Sequence, residues 1–445
     1  MNSFLAGGEL SLVSTLRRIH SREVSAEQVT EGCLERIANC EPQLHAWVRC
    51  DREQSLATAR QLDARRNAGE ALQGLWGIPL GIKDLFDVVG TPTGCGFGPW
   101  ESGEACREEG PLVHRLRRAG GVVLGKTITT QFACFDPPPT RNPWNLDRTP
   151  GGSSSGSAVA VATGMCLGAL GSQTGGSIIR PAAYCGIAGY KPSWGWLSVE
   201  GVFPAAPSLD VPGPMARCVH DLWILEGVLS QAETSEVLGR LFAQGRRPER
   251  MGRLRGRFAQ VASSDCWEVF EKTLGRLAQA SLAVADCPLP AGFDTVLENH
   301  RSVMLTEIAA GHQERFRDLR PHYLPRMAGL IEEGSQLRGV DYVRARQHQR
   351  ELSQEMDRLL ETWEILACPA TPGGAPGPET TGDPTFNSPF SYCGLPAVTL
   401  PMGLDAQGLP LGLQLIGRHH GDRELLLAAL WCESVLGPLA PSGTR

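Results

Sequence analysis

Between residues 25 and 40 the apolar positions Val29, Cys33 and Ile37 recur every fourth residue, the period of one helical face. Ser25 and Gln28 stand at its start with the spacing of a capping box, so a helix is predicted there. The pattern then shortens. "GIPLGIKDLFDV" (77–88) predicts a buried strand running into a loop, and "LVHRLRRAGGVVLGKT" (112–127) a helix that stops at Gly120 before a strand over Val122 to Leu124. "SAVAVATGMCLGALG" (157–171) is the longest apolar run; it is too short and glycine-rich to span a membrane and predicts a buried helix leading into a strand. Tyr342, Ala345, Leu352, Met356, Leu359 and Trp363 form the stripe of a long helix over 337–368, which passes into the strand "EILACP". Residues 371–389 are Pro/Gly-rich loop; "AVTLPMG" and "PLGLQLIG" predict strands, and a final helix falls near 422–436. Alternating helices and strands predict α/β layers with a mostly parallel or mixed sheet in one large domain. Residues 230–340, lower in glycine, are expected to be a helical excursion.

Composition narrows the function classes. The 445 residues carry a net charge of -6, which gives no basic footprint for nucleic acid. Charged residues are 20% of the chain, with 52 glycines and 32 prolines, a balance that favours tight turns and buried loops over a helical bundle. The first twenty residues lack a basic segment followed by an apolar one, so the 14 cysteines are expected to be reduced, mostly buried thiols of a cytoplasmic protein. No C-x-x-C or H-E-x-x-H spacing marks a metal site.

"GGVVLGKT" (120–127) matches the phosphate-loop pattern, but a helix precedes it and Val122-Val123 occupy the would-be loop; it is read as a helix stop and a buried strand. The chemistry lies further on. "GSQTGGSIIRPAAYCG" (171–186) sets Ser177 directly after two glycines, a nucleophile on a turn rich in backbone N–H groups. No histidine lies in a setting that suggests its base. A desolvated lysine is the other solution, and "PLGIKDLF" puts Lys83 at the end of an apolar strand. "TPGGSSSGSA" (149–158) supplies a second Gly/Ser loop to carry a hydroxyl between the two.

Together "GIPLGIKD", "TPGGSSSGSA", "GSQTGGSIIRPAAYCGIAGYKPS" and "GLPLGLQLIG" resemble, in order, the landmarks of the amidase signature family. The likeness runs from "VSAEQVTEGCLERI" to the last strands and is weakest between about 230 and 340. It implies a single domain over 1–445, with a central mixed, twisted β-sheet covered by helices on both faces, a signature core at about 70–225 and 364–436, and a more variable helical region at about 230–363. It also implies a Ser–cis-Ser–Lys triad: Ser177 as nucleophile, Ser153 after a cis peptide bond as proton shuttle, and Lys83 as base. The N–H groups of Thr174, Gly175, Gly176 and Ser177 would form the oxyanion hole, and Ser154 and Ser155 would hold the loop in place. No metal or organic cofactor is implied.

Gln173 stands where many members have aspartate, and Arg180 lies three residues after Ser177 rather than two. With "GKTITTQF" and "TRNPWN", this resembles malonamidase-like and biuret-hydrolase-like members, in which such an arginine holds a substrate carboxylate or carbonyl. Arg180 is thus either a substrate-binding residue or a structural one tied to a neighbouring carboxylate. The segments 371–389 and 300–345 are expected to wall the pocket. The implied activity is hydrolysis of a linear non-peptide amide, with urea-like, carbamate and ester substrates open to the same acyl chemistry. The alternatives are the glutaminase component of a glutamyl-tRNA amidotransferase and a non-catalytic scaffold. Partners implied are a small-molecule amide and, as is frequent in the family, a second copy in a homodimer; nucleic acid and membrane are not.

Overall fold

Ser25 accepts from Gln28 N and the Gln28 side chain accepts from Ser25 N, closing the capping box that opens helix Ala26–Leu44. The helix outruns its expected end and stops where His45 turns left-handed at φ 48. The computed structural model describes residues 10–439. Its strands are β1 (Trp47–Cys50), β2 (Pro79–Lys83), β3 (Val122–Thr127), β4 (Gly168–Gln173), β5 (Ala188–Lys191), β6 (Val211–Ala216), β7 (Arg250–Arg253), β8 (Ala283–Asp286), β9 (Ile365–Pro369), β10 (Ala397–Leu404) and β11 (Pro410–Ile416). All join one sheet in the order β1-β3-β2-β4-β6-β5-β10-β11-β9-β7-β8.

The sheet is mixed. β3, β2 and β4 run parallel, as do β9, β7 and β8, while the centre from β4 through β6, β5, β10 and β11 to β9 is antiparallel. Successive strand residues face opposite sides, yet every residue of β2, β5, β6, β9 and β11 is buried, so both faces are covered. Helices Ser155–Ala162 and Ile179–Cys185 pack on each other and on the central strands; Val219–Leu229 and Asp422–Leu436 do the same as a second group. Among the described residues no helix is long and apolar enough to cross a membrane.

The helical excursion expected at 230–340 is corrected by β7 and β8, which lie within it. Each is four residues long: "RMGR" has a single apolar side chain, and "AVAD" is a mostly exposed edge strand, so neither offers the longer apolar run that marks a buried strand. The phosphate-loop reading fails structurally as well. Helix Pro111–Arg118 precedes Gly120, residues 122–127 form β3, and Lys126 pairs with Asp84 at 2.7 Å in full burial.

Candidate active site

Lys83 ends β2, where its side chain is wholly buried. Its Nζ lies 2.7 Å from Ser153 Oγ and 2.9 Å from Ser172 Oγ. Burial pulls its pKa down to about 7, opposed first by the charge of Asp210. A neutral amine is therefore accessible near neutrality, held between two hydroxyls.

Ser153 sits in the loop between Gly151 and helix Ser155–Ala162, and the Gly152–Ser153 peptide is cis. Gly151 takes φ +81 with its Cα hydrogen toward Pro181, and a Cβ there would lie 2.8 Å from Pro181 Cα. The serines beside the shuttle candidate hold the loop: Ser155 Oγ donates to Gly151 O at 2.6 Å and Ser154 Oγ to Ser172 O at 3.3 Å. Ser154 N donates to Ser177 O at 3.3 Å, so the two Gly/Ser loops are joined directly.

β4 ends at Gln173, and residues 174–178 turn into helix Ile179–Cys185. Gln173 Oε1 accepts from Ile178 N at 2.8 Å and Ile179 N at 3.0 Å, closing that turn as a carboxylate would without adding a charge. Its Nε2 donates to Ser391 Oγ. Among the described residues, the N–H groups of Gly175, Gly176 and Ser177 donate to no protein acceptor, leaving three donors on the turn that carries the Ser177 hydroxyl. Gly176 is required by close approach: a Cβ would meet Asn387 Oδ1 at 2.5 Å.

Ser177 is 7% exposed and borders a cavity of about 200 Å³ together with Arg180, His300, Met304, Ile308 and Ser388. The wall expected from 300–345 is thus formed by the first turns of helix Val296–Leu319, and the 371–389 segment contributes Pro384, Thr385 and Ser388. Arg180 also faces it, fully buried. Its Nη2 donates to Gly152 O at 2.7 Å and weakly to Thr381 Oγ1 at 3.4 Å, while Nε and Nη1 meet no acceptor among the described residues. The carboxylate partner of the structural reading is not within ion-pair distance; Arg180 grips the carbonyl just before Ser153 instead. Burial lowers its pKa to about 10, so it stays a cation at neutral pH.

Three further residues escape a linear reading. His300 Nε2 lies 3.2 Å from Thr174 O, and burial drives its pKa down to about 4, so the ring is neutral and its N–H steadies the turn. Asp210 accepts from Thr174 Oγ1 at 2.6 Å and from Ala205 N and Ala206 N at 2.8 Å each, with its pKa pushed up to about 6 by burial. Ser172 is the second partner of Lys83. Only Ser172 lay inside a quoted motif; the other two come from 36 and 126 residues beyond Thr174. Among the described residues no cluster of three or more His, Cys, Asp or Glu side chains has a metal-holding arrangement.

The Amidase family profile matches residues 28–426. A component of the glutamyl-tRNA(Gln) amidotransferase of Acaryochloris marina is 32% identical, over 94% of this chain and 96% of that protein. Peptide amidase from Stenotrophomonas maltophilia superposes with a TM-score of 0.83 at 28% identity, over 98% of each chain. A protein from an inhibitor-bound vestigial complex, described as revealing the origins of an s-triazine catabolic enzyme, superposes at 0.89 with 27% identity, over 97% of this chain and 100% of that one. A fully buried lysine on a serine, a glycine-flanked second serine at a cavity, and a family match across nine-tenths of the residues agree: this chain belongs to the amidase family, hydrolases of carbon–nitrogen bonds.

Proposed function

We propose that the protein hydrolyses a linear, non-peptide amide through an acyl-enzyme on Ser177, with Ser153 and Lys83 as its proton relay. The observation that carries this reading is the 2.7 Å contact between Lys83 Nζ and Ser153 Oγ, two wholly buried side chains behind the Ser177 turn. Neutral Lys83 takes the Ser153 proton as Ser153 takes that of Ser177, and Ser177 Oγ bonds to the amide carbon. The carbonyl oxygen gains its charge at the N–H groups of residues 174–177. The C–N bond then breaks as the nitrogen takes a proton back from Ser153, which is recharged by the Lys83 ammonium. Water repeats the sequence on the acyl-enzyme and frees the acid. The Arg180 cation on the wall of the Ser177 cavity supports a substrate whose acyl half carries a carboxylate or carbonyl, in the manner of malonamidase-like and biuret-hydrolase-like members.

The test is release of ammonia or of the free amine from a panel of carboxylated, aryl and carbamate amides. Ser177→Ala should lower turnover by roughly 10³-fold or more, and an ester substrate quenched in the steady state should leave its acyl mass on the Ser177 peptide. Full activity in Ser177→Ala would overturn the reading. A second reading, the glutaminase component of a glutamyl-tRNA amidotransferase, is favoured by the 32% identity to the Acaryochloris marina protein. Gln173 and Arg180 speak against it; ammonia release from glutamine alone, with co-purification of a second protein chain, would establish it. Fourteen unpaired cysteines support a reducing, cytoplasmic setting.

A further inference from the structure

A second cavity of about 230 Å³ lies beside the first and has no part in the reaction as described. Leu85, Val199, Val202, Phe203, Val211 and Pro212 give it an apolar wall. It shares Ala133 and Ala205 with the cavity of Ser177, so small methyl groups divide the two spaces. The divider is backbone held under strain: Phe132 and Ala133 are consecutive left-handed residues, at φ 49 and 62, without being glycine. Two polar groups border this otherwise oily chamber, Ser172 and Asp210. Ser172 is the second partner of Lys83, and Asp210 holds Thr174 of the Ser177 turn.

We propose that this second cavity is the binding site for the amine half of the substrate, and that it takes an apolar, ring-sized N-substituent whose N–H faces Asp210 and Ser172. The proposal rests on the acyl-enzyme reading above and extends it to the substrate class. The side of the site is set by proton traffic. The leaving nitrogen must take its proton from the relay, so it departs on the side where Lys83 and its hydroxyl partners lie, and only the second cavity borders Ser172. The acyl half is directed the other way, because the Ser177 turn and the Arg180 cation line the first cavity and not the second. Size agrees: a dry apolar cavity of about 150 Å³ holds benzene, so about 230 Å³ accepts a phenyl ring with its nitrogen. Chemistry agrees as well, since a carboxylate at the floor of an oily chamber suits an N–H donor on an apolar body.

The experiment crosses the two halves of the substrate: succinamic acid, N-phenylsuccinamic acid, acetamide and acetanilide, assayed with wild type and Val199→Trp. Val199 lines the chamber and is 51% exposed, so a larger side chain closes the mouth without entering the core. In Val199→Trp the KM ratio of each anilide to its primary amide should rise about tenfold or more. Aniline binding by calorimetry reads the cavity independently of turnover and should weaken by a similar factor. Parallel changes for anilides and primary amides, or equal aniline affinity in both proteins, would overturn the proposal while leaving the Ser177 chemistry standing. Unchanged turnover of the four substrates in Ser177→Ala, alongside variant-sensitive aniline binding, would instead sink the acyl-enzyme reading and leave the cavity as an aromatic-amine site only.

Discussion

Lys83 and Lys191 are both wholly buried, and burial pulls both to about 7. A depressed lysine is therefore not by itself a base. What separates them is what the amine meets: Lys191 Nζ donates to the carbonyl of Pro192 at 2.8 Å, which has no proton to give, whereas Lys83 meets two hydroxyls. The groups around Lys83 also set when it is neutral. Asp210 is the foremost charge favouring its cation, with Cys134 and Cys95 behind it, and Glu307 faces Asp210 from helix Val296–Leu319. Activity in the wild type should rise with pH through about 7 as Lys83 sheds its proton. Asp210→Asn removes the anion yet still accepts from Ala205 and Ala206 and donates to the Thr174 hydroxyl. The acid limb of kcat/KM should therefore move to lower pH. A limb that stays in place or moves up would show that Asp210 does not act on Lys83 through its charge.

At the scale of elements, helix Val296–Leu319 delivers His300, Met304 and Ile308 to the cavity from a distant part of the chain. It is anchored on the core near its far end, where the Arg315 guanidinium stacks 4.5 Å from the Trp100 ring centre, 5.5 Å from Phe203 and 5.8 Å from Phe132. Arg315→Met keeps an apolar stem and loses the cation. Stability in urea should fall by about 1–2 kcal/mol, within the range of partly desolvated cation–π contacts. Loss of kcat/KM should accompany it, since the His300 N–H would drift from Thr174 O. An unchanged midpoint would mean the stacking is ornamental. This helix also shows where the sequence stops informing. Lys83, Ser153 and Ser177 were legible because each sits in a local motif whose glycines or apolar neighbours announce a constrained backbone. His300 and Asp210 have no such signature; a half-buried helix and a proline-rich turn look the same with or without a site behind them. The same limit hid β7 and β8, while β2, β10, β11 and the helix Asp422–Leu436 were visible from apolar runs long enough to count.

Across the whole molecule the dominant titration belongs to the thiols. Burial pushes thirteen of the fourteen cysteines above the ordinary range, among them Cys50 and Cys287 to about 11 and Cys33 and Cys266 to about 12. A group with a raised folded pKa contributes stability that is whole below its unfolded value and lost as pH climbs toward the folded one. For these thiols the loss begins near 9. Lys83 and Lys191 act in the opposite sense: kept neutral in the fold, they weaken it most below about 7 and relax that penalty as pH approaches 10.5. Each group changes stability by about 1.4 kcal/mol per pH unit inside its window, so above pH 9 thirteen thiols outweigh two lysines. The urea midpoint should therefore rise from pH 7 to 8.5, as the two lysines shed their penalty, and fall steeply above 9. A thiol reagent added at pH 8 should label the protein slowly until denaturant is present, because the reactive thiolate is scarce while the fold persists. A midpoint that keeps rising to pH 10.5, or rapid labelling of most cysteines in the folded protein, would mean that the core around the sheet is open to water, and a site that depends on a dehydrated lysine could not survive in it.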